Sequence, residues 1–189
     1  MQSLEDESNS DDLTKIFSDI PNDYKNYDAV KYFKDKWIIA WYSDNTFRPK
    51  NNITRVESLK VILLSLWIET WTWIESKFAD IKSDSWENNY VNAWVKSWII
   101  STWNTNFYPS RQVNRVEALK MILTLAWIDL KNEEITLNAK DVSDTDWYYS
   151  YVNYAVKNKL IELDNWYFYP TKALTREELV SILYKFVKK

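Results

Sequence analysis

Glycine, cysteine and histidine are all absent from this chain of 189 residues. Without cysteine it can form neither a disulfide framework nor a thiolate metal site. Without histidine it lacks the side chain that most often serves as a general base or a metal ligand. An enzyme would have to rely on carboxylates alone, so we expect no catalysis, no cofactor and no metal.

The chain also has no large excess of positive or negative charge and no long apolar run. The formal net charge is −3, and no basic stripe is present to neutralise phosphates, so we expect no nucleic-acid partner. No apolar run approaches the roughly 20 residues that span a bilayer. Residues 1–15 are acidic and polar, unlike a signal peptide, and we expect a disordered linker there. A protein acting outside the cell would therefore be a mature form or a fragment of a longer chain.

Tryptophan, in contrast, occurs twelve times. Average usage predicts about 13 glycines in a chain of this length. Trp37, Trp67, Trp98 and Trp127 each follow a helical pattern, at the position where a left-handed residue ends a helix and glycine is favoured. Trp166 lies in a tight-turn sequence where Asn-Gly would be ordinary. Because bulky residues are strained at positive φ, we hypothesise that most tryptophans stand for glycine, through UGA codons that some bacteria read as glycine.

Three tryptophans do not fit this pattern. Trp86 and Trp147 occupy equivalent places inside helical segments, and we interpret them as authentic. Trp94 cannot be assigned to either group. The alternative is a chain that is rich in tryptophan and uses its rings as platforms for sugars.

Four landmarks recur in fixed order three times, which indicates internal repeats. The first is an aspartate at a spacing of 61 residues: Asp19, Asp80 and Asp141. An aliphatic pair follows Trp37, Trp98 and Lys159, and then comes Phe47-Arg48-Pro49, Phe107-Tyr108-Pro109 or Phe168-Tyr169-Pro170. The last landmark contains an arginine and a glutamate: Arg55 with Glu57, Arg115 with Glu117, and Arg176 with Glu178. We predict a module over 16–189 with repeats at about 16–73, 74–135 and 136–189.

Each repeat is predicted to be helix, loop, helix. The second helix opens with a capping box, in which Thr54, Asn114 or Thr175 pairs with the glutamate three residues later. Apolar residues follow at three-to-four spacing, as in Leu59, Ile62 and Leu63. Because a unit of this size is marginal alone, we expect an all-α fold in which the three repeats share one core.

With glycine restored at the tryptophans, residues 37–57 would read GIIAGYSDNTFRPKNNITRVE, which resembles the S-layer homology motif. The resemblance covers about residues 16–189. It implies a pseudo-threefold helical spindle at the cell wall, which binds secondary cell-wall polysaccharide, often carrying a pyruvate ketal, in grooves between repeats. Other S-layer proteins are further partners that it implies. Asn114 and Lys159 depart from the usual threonine and glycine, so we expect groove two to bind differently.

The arginine landmark has chemistry that suits an anion. Each arginine is predicted at the first turn of a helix, where unpaired N–H groups and the helix dipole favour negative charge. A guanidinium can also bind a carboxylate through two parallel hydrogen bonds. The resemblance implies that Arg55, Arg115 and Arg176 contact the ketal carboxylate. Possible sugar contacts are Trp86, Trp147, Thr54, Asn114 and Thr175.

Other interpretations remain open at this point. Each arginine could pair with the glutamate two residues later as a surface ion pair of little energy. The aspartates Asp19, Asp80 and Asp141 are interpreted as caps of the first helix of each repeat. The chain could also be a carboxylate glycosidase, a protein–protein scaffold at the cell surface, or the anchoring tail of a larger enzyme. A calcium module is discounted, since Asp141, Asp144 and Asp146 lack the EF-hand pattern.

Overall fold

The computed structural model describes residues 15–40, 42–70, 75–96 and 105–189. Six helices occupy these residues: α1 (Tyr27–Asp35), α2 (Arg55–Ser65), α3 (Trp86–Lys96), α4 (Arg115–Leu125), α5 (Tyr149–Lys157) and α6 (Arg176–Val187). Within the described ranges, extended backbone forms isolated bridges and no sheet. The predicted all-α class and the two helices per repeat are therefore confirmed.

Helices α2, α4 and α6 begin where the capping boxes were predicted. In α2 the Thr54 hydroxyl accepts a hydrogen bond from the Glu57 amide, and the Glu57 carboxylate accepts one from the Thr54 amide at 3.0 Å. Asn114 forms the same box with Glu117 in α4. Thr175 does so with Glu178 in α6. Asparagine therefore replaces threonine in the second repeat without any change in how the helix starts.

Four helices end in a left-handed residue, three of them at a predicted tryptophan and the fourth at Lys159. After α1 the Trp37 amide donates to the carbonyl of Lys34, and the Ile38 amide donates to that of Phe33. This pair of bonds defines a Schellman motif. The same pair recurs at Trp67, Trp127 and Lys159, and φ lies between 56° and 58° at all four residues. The three residues are 74–80% exposed, so burial in the core does not offset the backbone strain.

The other tryptophans fall into separate groups. Trp166 also has positive φ, 73°. Trp86 is the first residue of α3, and Trp94 is buried in the same helix, with its ring edge-to-face against Phe107. Trp98 lies outside the described residues, as do Trp41, Trp71, Trp73 and Trp103.

The repeats close into a ring. The second helix of each repeat packs on the first helix of the next one, which gives the pairs α2–α3, α4–α5 and α6–α1. At the centre, the Ile53 amide donates to the Leu174 carbonyl, the Leu174 amide to the Val113 carbonyl, and the Val113 amide to the Ile53 carbonyl. These three residues are buried in one hydrophobic core to which all repeats contribute. These contacts confirm the predicted shared core and the pseudo-threefold arrangement of the repeats.

The interpretation of the landmark aspartates as helix caps is wrong. The residue that precedes α1 is Asn26, and it makes no side-chain capping bond. Asp19 instead accepts hydrogen bonds from the amides of Phe47 and Arg48, both at 2.7 Å. Asp80 and Asp141 bind the corresponding amides of their own repeats. Each aspartate thus holds the Phe-x-Pro loop, whose middle residue has φ of 56–60°.

Candidate functional site

Each landmark arginine reaches from its own repeat onto the Phe-x-Pro loop of the next repeat. Arg176 donates from Nε to the Phe47 carbonyl at 2.8 Å. Arg115 donates from Nη1 to the Phe168 carbonyl at 2.6 Å. The guanidinium carbon of Arg55 lies 4.9 Å from the centre of the Phe107 ring. The arginines therefore define three grooves between repeats: the first at Arg55, the second at Arg115 and the third at Arg176.

The third groove combines a cation, an aromatic ring and an aliphatic wall. It contains a cavity of about 200 Å³, lined by Arg176, Trp86, Lys60 and the pair Ile38-Ile39, among others. Trp86 is 49% exposed, and the Lys60 ammonium lies 5.3 Å from its ring centre. Among the described residues, Arg176 has no carboxylate partner. This groove offers a guanidinium beside an accessible ring.

The first junction repeats the pairing of an exposed tryptophan with a lysine. Trp147 is 58% exposed, and the Lys120 ammonium lies 5.1 Å from its ring centre. The guanidinium carbon of Arg55 lies beside the rings of Trp94 and Phe107, 5.0 and 4.9 Å from their centres. Burial and the nearby Arg111 lower the pKa of Arg55, which an anionic ligand would oppose. The Ile99-Ile100 pair, which corresponds to Ile38-Ile39 in the sequence repeat, lies outside the described residues.

The second groove is built differently. Arg115 forms an ion pair with Glu178, with Nη2 and Oε1 2.7 Å apart, and Lys172 approaches the same oxygen at 3.3 Å. The groove holds a cavity of about 590 Å³. Lys25 and Ser181 line it where the third groove has Trp86 and Lys60. Its arginine is paired within the protein, and no tryptophan lines its described wall.

The expectation that unpaired helix amides help to bind an anion is wrong. The first amide of each helix donates to a carbonyl of another repeat: Arg55 to Arg111 at 2.7 Å, Arg115 to Lys172 at 3.1 Å, and Arg176 to Asn51 at 2.9 Å. The second amide donates to the proline carbonyl of the same loop in each case. The capping box takes the two remaining donors. The amides at the start of these three helices are therefore all bound within the protein, and binding of an anion there would depend on side chains.

The structure also shows how the glutamates and the capping side chains of the arginine landmark are used. The ion pair between an arginine and the glutamate two residues later is absent from all three motifs, each of which is described. The side chains of Thr54, Asn114 and Thr175 serve their helix caps. Sequence reasoning missed Lys60 and Lys120, although both lie three residues after a capping glutamate.

The fold and grooves define a class: a ring of helical repeats with a basic, partly aromatic cleft at each junction. Comparison with known proteins identifies this class. The model of the S-layer homology domain matches residues 16–57, 77–119 and 140–180. The chain belongs to this family, whose domains associate surface proteins with the cell wall.

The relatives are much longer proteins. An amylopullulanase of Thermoanaerobacterium thermosulfurigenes is 28% identical over 180 residues, which is 93% of this chain and 10% of the relative. Exoglucanase XynX of Acetivibrio thermocellus is 34% identical over 106 residues, 56% of this chain and 10% of the relative. A surface-layer 125 kDa protein of Lysinibacillus sphaericus is 28% identical over 137 residues, 71% of this chain and 11% of the relative. The chain thus spans about a tenth of each. In the described part of the chain, no helix has the length and apolar character of a membrane span.

Proposed function

We propose that this module anchors a surface protein non-covalently to the cell wall by binding a carboxylate-bearing secondary polysaccharide, with a pyruvate ketal as the ligand group. The observation that carries the proposal is the third groove. There Arg176 has no carboxylate partner among the described residues and lines the same cavity as the half-exposed Trp86 ring. A guanidinium binds a carboxylate through charge-assisted hydrogen bonds, and an accessible indole face suits a sugar ring.

The net charge of −3 opposes long-range attraction of an anionic polymer. Recognition therefore has to act locally, within roughly a Debye length of about 8 Å. Several weak grooves on one polymer gain affinity because the first contact raises the effective concentration of the next. We infer that retention on the wall depends on more than one arginine.

We also infer that the chain itself is not catalytic and serves as the anchoring tail of a larger protein. The three glutamates nearest the arginines, Glu57, Glu117 and Glu178, are used in helix caps. A pair of carboxylates set up for glycoside hydrolysis would need one acid and one base or nucleophile. The enzyme names of two relatives, of which the matched segment is 10% in each case, support an anchoring role beside a separate catalytic part.

Co-sedimentation with protein-free cell walls tests the proposal, using walls before and after chemical removal of the pyruvate ketal. We expect the protein to pellet with intact walls and to remain in solution after the ketal is removed. The triple variant Arg55→Gln, Arg115→Gln, Arg176→Gln should lose binding, while Glu69→Gln, at an exposed residue after α2, should keep it. Binding that persists on ketal-free walls would contradict the ligand. Failure to bind either wall would favour a protein–protein scaffold.

A further inference from the structure

The three landmark arginines face equivalent glutamates of the following repeat, but the pairs differ. Arg115 and Glu178 form a direct ion pair at 2.7 Å. Glu117, the counterpart that faces Arg55, is bound instead by both terminal nitrogens of Arg111, at 2.7 and 3.1 Å. Glu57 lines the cavity of Arg176, and its carboxylate is bound by the amide and hydroxyl of Thr54. Among the described residues, one landmark arginine of the three is thus neutralised by a carboxylate.

The Arg115–Glu178 pair is well held. The side chains are 13% and 23% exposed, so water screens their attraction less than at an open surface. Arg115 is fixed by the Phe168 carbonyl, and Glu178 by Lys172 and by the Thr175 amide. A carboxylate ligand would have to displace Glu178 from Arg115. Glu178 would keep Lys172 and the Thr175 amide but lose its shorter ion pair in a partly buried place, which disfavours the ligand.

The residue that follows each landmark aspartate by six positions also distinguishes the second groove from the other two. Trp86 and Trp147 each lie six residues after a landmark aspartate, and the residue at that position in the first repeat is Lys25. Lys25 lines the second groove. The lysines that cover the two rings, Lys60 and Lys120, correspond to Ser181 in this groove. The groove with the neutralised arginine is therefore also the groove without an indole ring on its described wall.

We propose that Glu178 acts as an internal competitor that keeps the second groove closed to carboxylates, so that the module binds its ligand at two grooves, those of Arg55 and Arg176. This inference rests on the proposed function and adds which grooves act and why. Glu178 is a specificity-determining residue in this view, because it decides whether Arg115 is available. The prediction that groove two binds differently would then rest on Glu178 and not on Asn114, which caps α4 as threonine would.

A titration with a synthetic pyruvate-ketal glycoside, monitored by isothermal titration calorimetry, tests this inference. The wild-type protein should bind two molecules. The double variant Arg55→Gln, Arg176→Gln retains Arg115 alone and should bind at least about 10-fold more weakly, since a charge-assisted contact is worth about that factor or more. Adding Glu178→Gln to it should restore binding, because glutamine keeps the capping box but leaves Arg115 unpaired. Circular dichroism would check that each variant is folded.

Glu69→Gln, added to the same double variant, is the matched control and should restore nothing. Three sites in the wild-type protein would overturn the inference while leaving the proposed function intact. The inference would equally fail if Glu178→Gln gave no gain in a folded protein. If the wild-type protein does not bind the glycoside at all, the proposed function fails with it. The stoichiometry of the wild-type protein decides the matter even where a variant does not fold.

Discussion

The carboxylate of Asp19 accepts a 2.7 Å hydrogen bond from the backbone amide of Arg48, a residue held at φ 57°. The second carboxylate oxygen binds the amide of the preceding residue, Phe47, at the same distance. One side chain therefore fixes the loop on which Arg176 rests. The same relationship is found in each repeat, which explains why the aspartate recurs at a fixed spacing.

Replacing Asp19 by alanine should destabilise the module. The variant leaves two partly buried amides without an acceptor, and each such loss costs about 1–3 kcal/mol. We expect Asp19→Ala to lower the free energy of unfolding by roughly 2–5 kcal/mol, and Asp19→Asn by less, since an amide oxygen can still accept one bond. Urea denaturation measures this. Asp23→Ala, at an exposed residue nearby, is the control, and an equal loss there would contradict the assignment.

Glycine at the left-handed helix ends should stabilise the protein. Left-handed backbone costs roughly 1–2 kcal/mol for residues other than glycine, and the rings of Trp37, Trp67 and Trp127 are largely exposed. We therefore expect the triple glycine variant to unfold at a higher temperature. Trp94→Gly is the contrasting case: it removes a buried ring from the middle of α3 and should lower stability by about 3–5 kcal/mol. A lower melting temperature for the triple variant would contradict the inference that these three positions are strained.

The codon hypothesis makes a separate prediction for the native protein. Peptide mass analysis of material from its own source should find glycine at Trp37, Trp67, Trp127 and Trp166, where φ is positive. It should find tryptophan at Trp86 and Trp147. Tryptophan at the first group would end the hypothesis and leave a strained, tryptophan-rich chain.

Acid should weaken the ion pairs of Glu178 and Glu117. Burial raises the pKa of Glu178, but the hydrogen bonds from Arg115 and the Thr175 amide and the positive charges of Arg115 and Lys172 together outweigh this effect, and the net pKa lies below its ordinary value of 4.5. The pKa of Glu117 is lowered in the same way, through Arg111. A lowered folded-state pKa gives stability that is present above about pH 4.5 and is lost as the pH falls through the folded value. Urea midpoints at pH 7 and pH 3 should therefore differ less for Glu117→Gln, Glu178→Gln than for the wild-type protein. An unchanged difference would contradict this account.

Two repeats should not fold without the third. Removing residues 136–189 takes away α6, which packs on α1, and leaves the Ile53 amide without the Leu174 carbonyl. We expect the fragment 15–135 to lack a cooperative thermal transition by circular dichroism. Mixing it with a separate 136–189 fragment should restore one, because the closing contacts are non-covalent. A cooperative transition in fragment 15–135 alone would contradict the prediction.

The sequence predicted most of what depends on local chemistry. The capping box of Thr54 and the left-handed residue at Trp37 follow from patterns within a few positions, and both were confirmed. The role of Asp19 could not be predicted, because its partners lie 28 and 29 residues ahead. The Arg115–Glu178 pair was hidden for the same reason, since it joins residues 63 positions apart in different repeats. Spacing within a repeat reveals its helices but not which residues meet across a junction.

The cyclic set of backbone bonds among Ile53, Val113 and Leu174 limits how the module can evolve. Each of these residues donates its amide hydrogen to one of the other two and accepts a bond from the remaining one at its carbonyl. No amide or carbonyl of this circle is then left for a further segment. A fourth copy added by gene duplication finds no free place in the circle and has to begin another one. The copy number is therefore set by geometry, so longer arrays should grow in multiples of three.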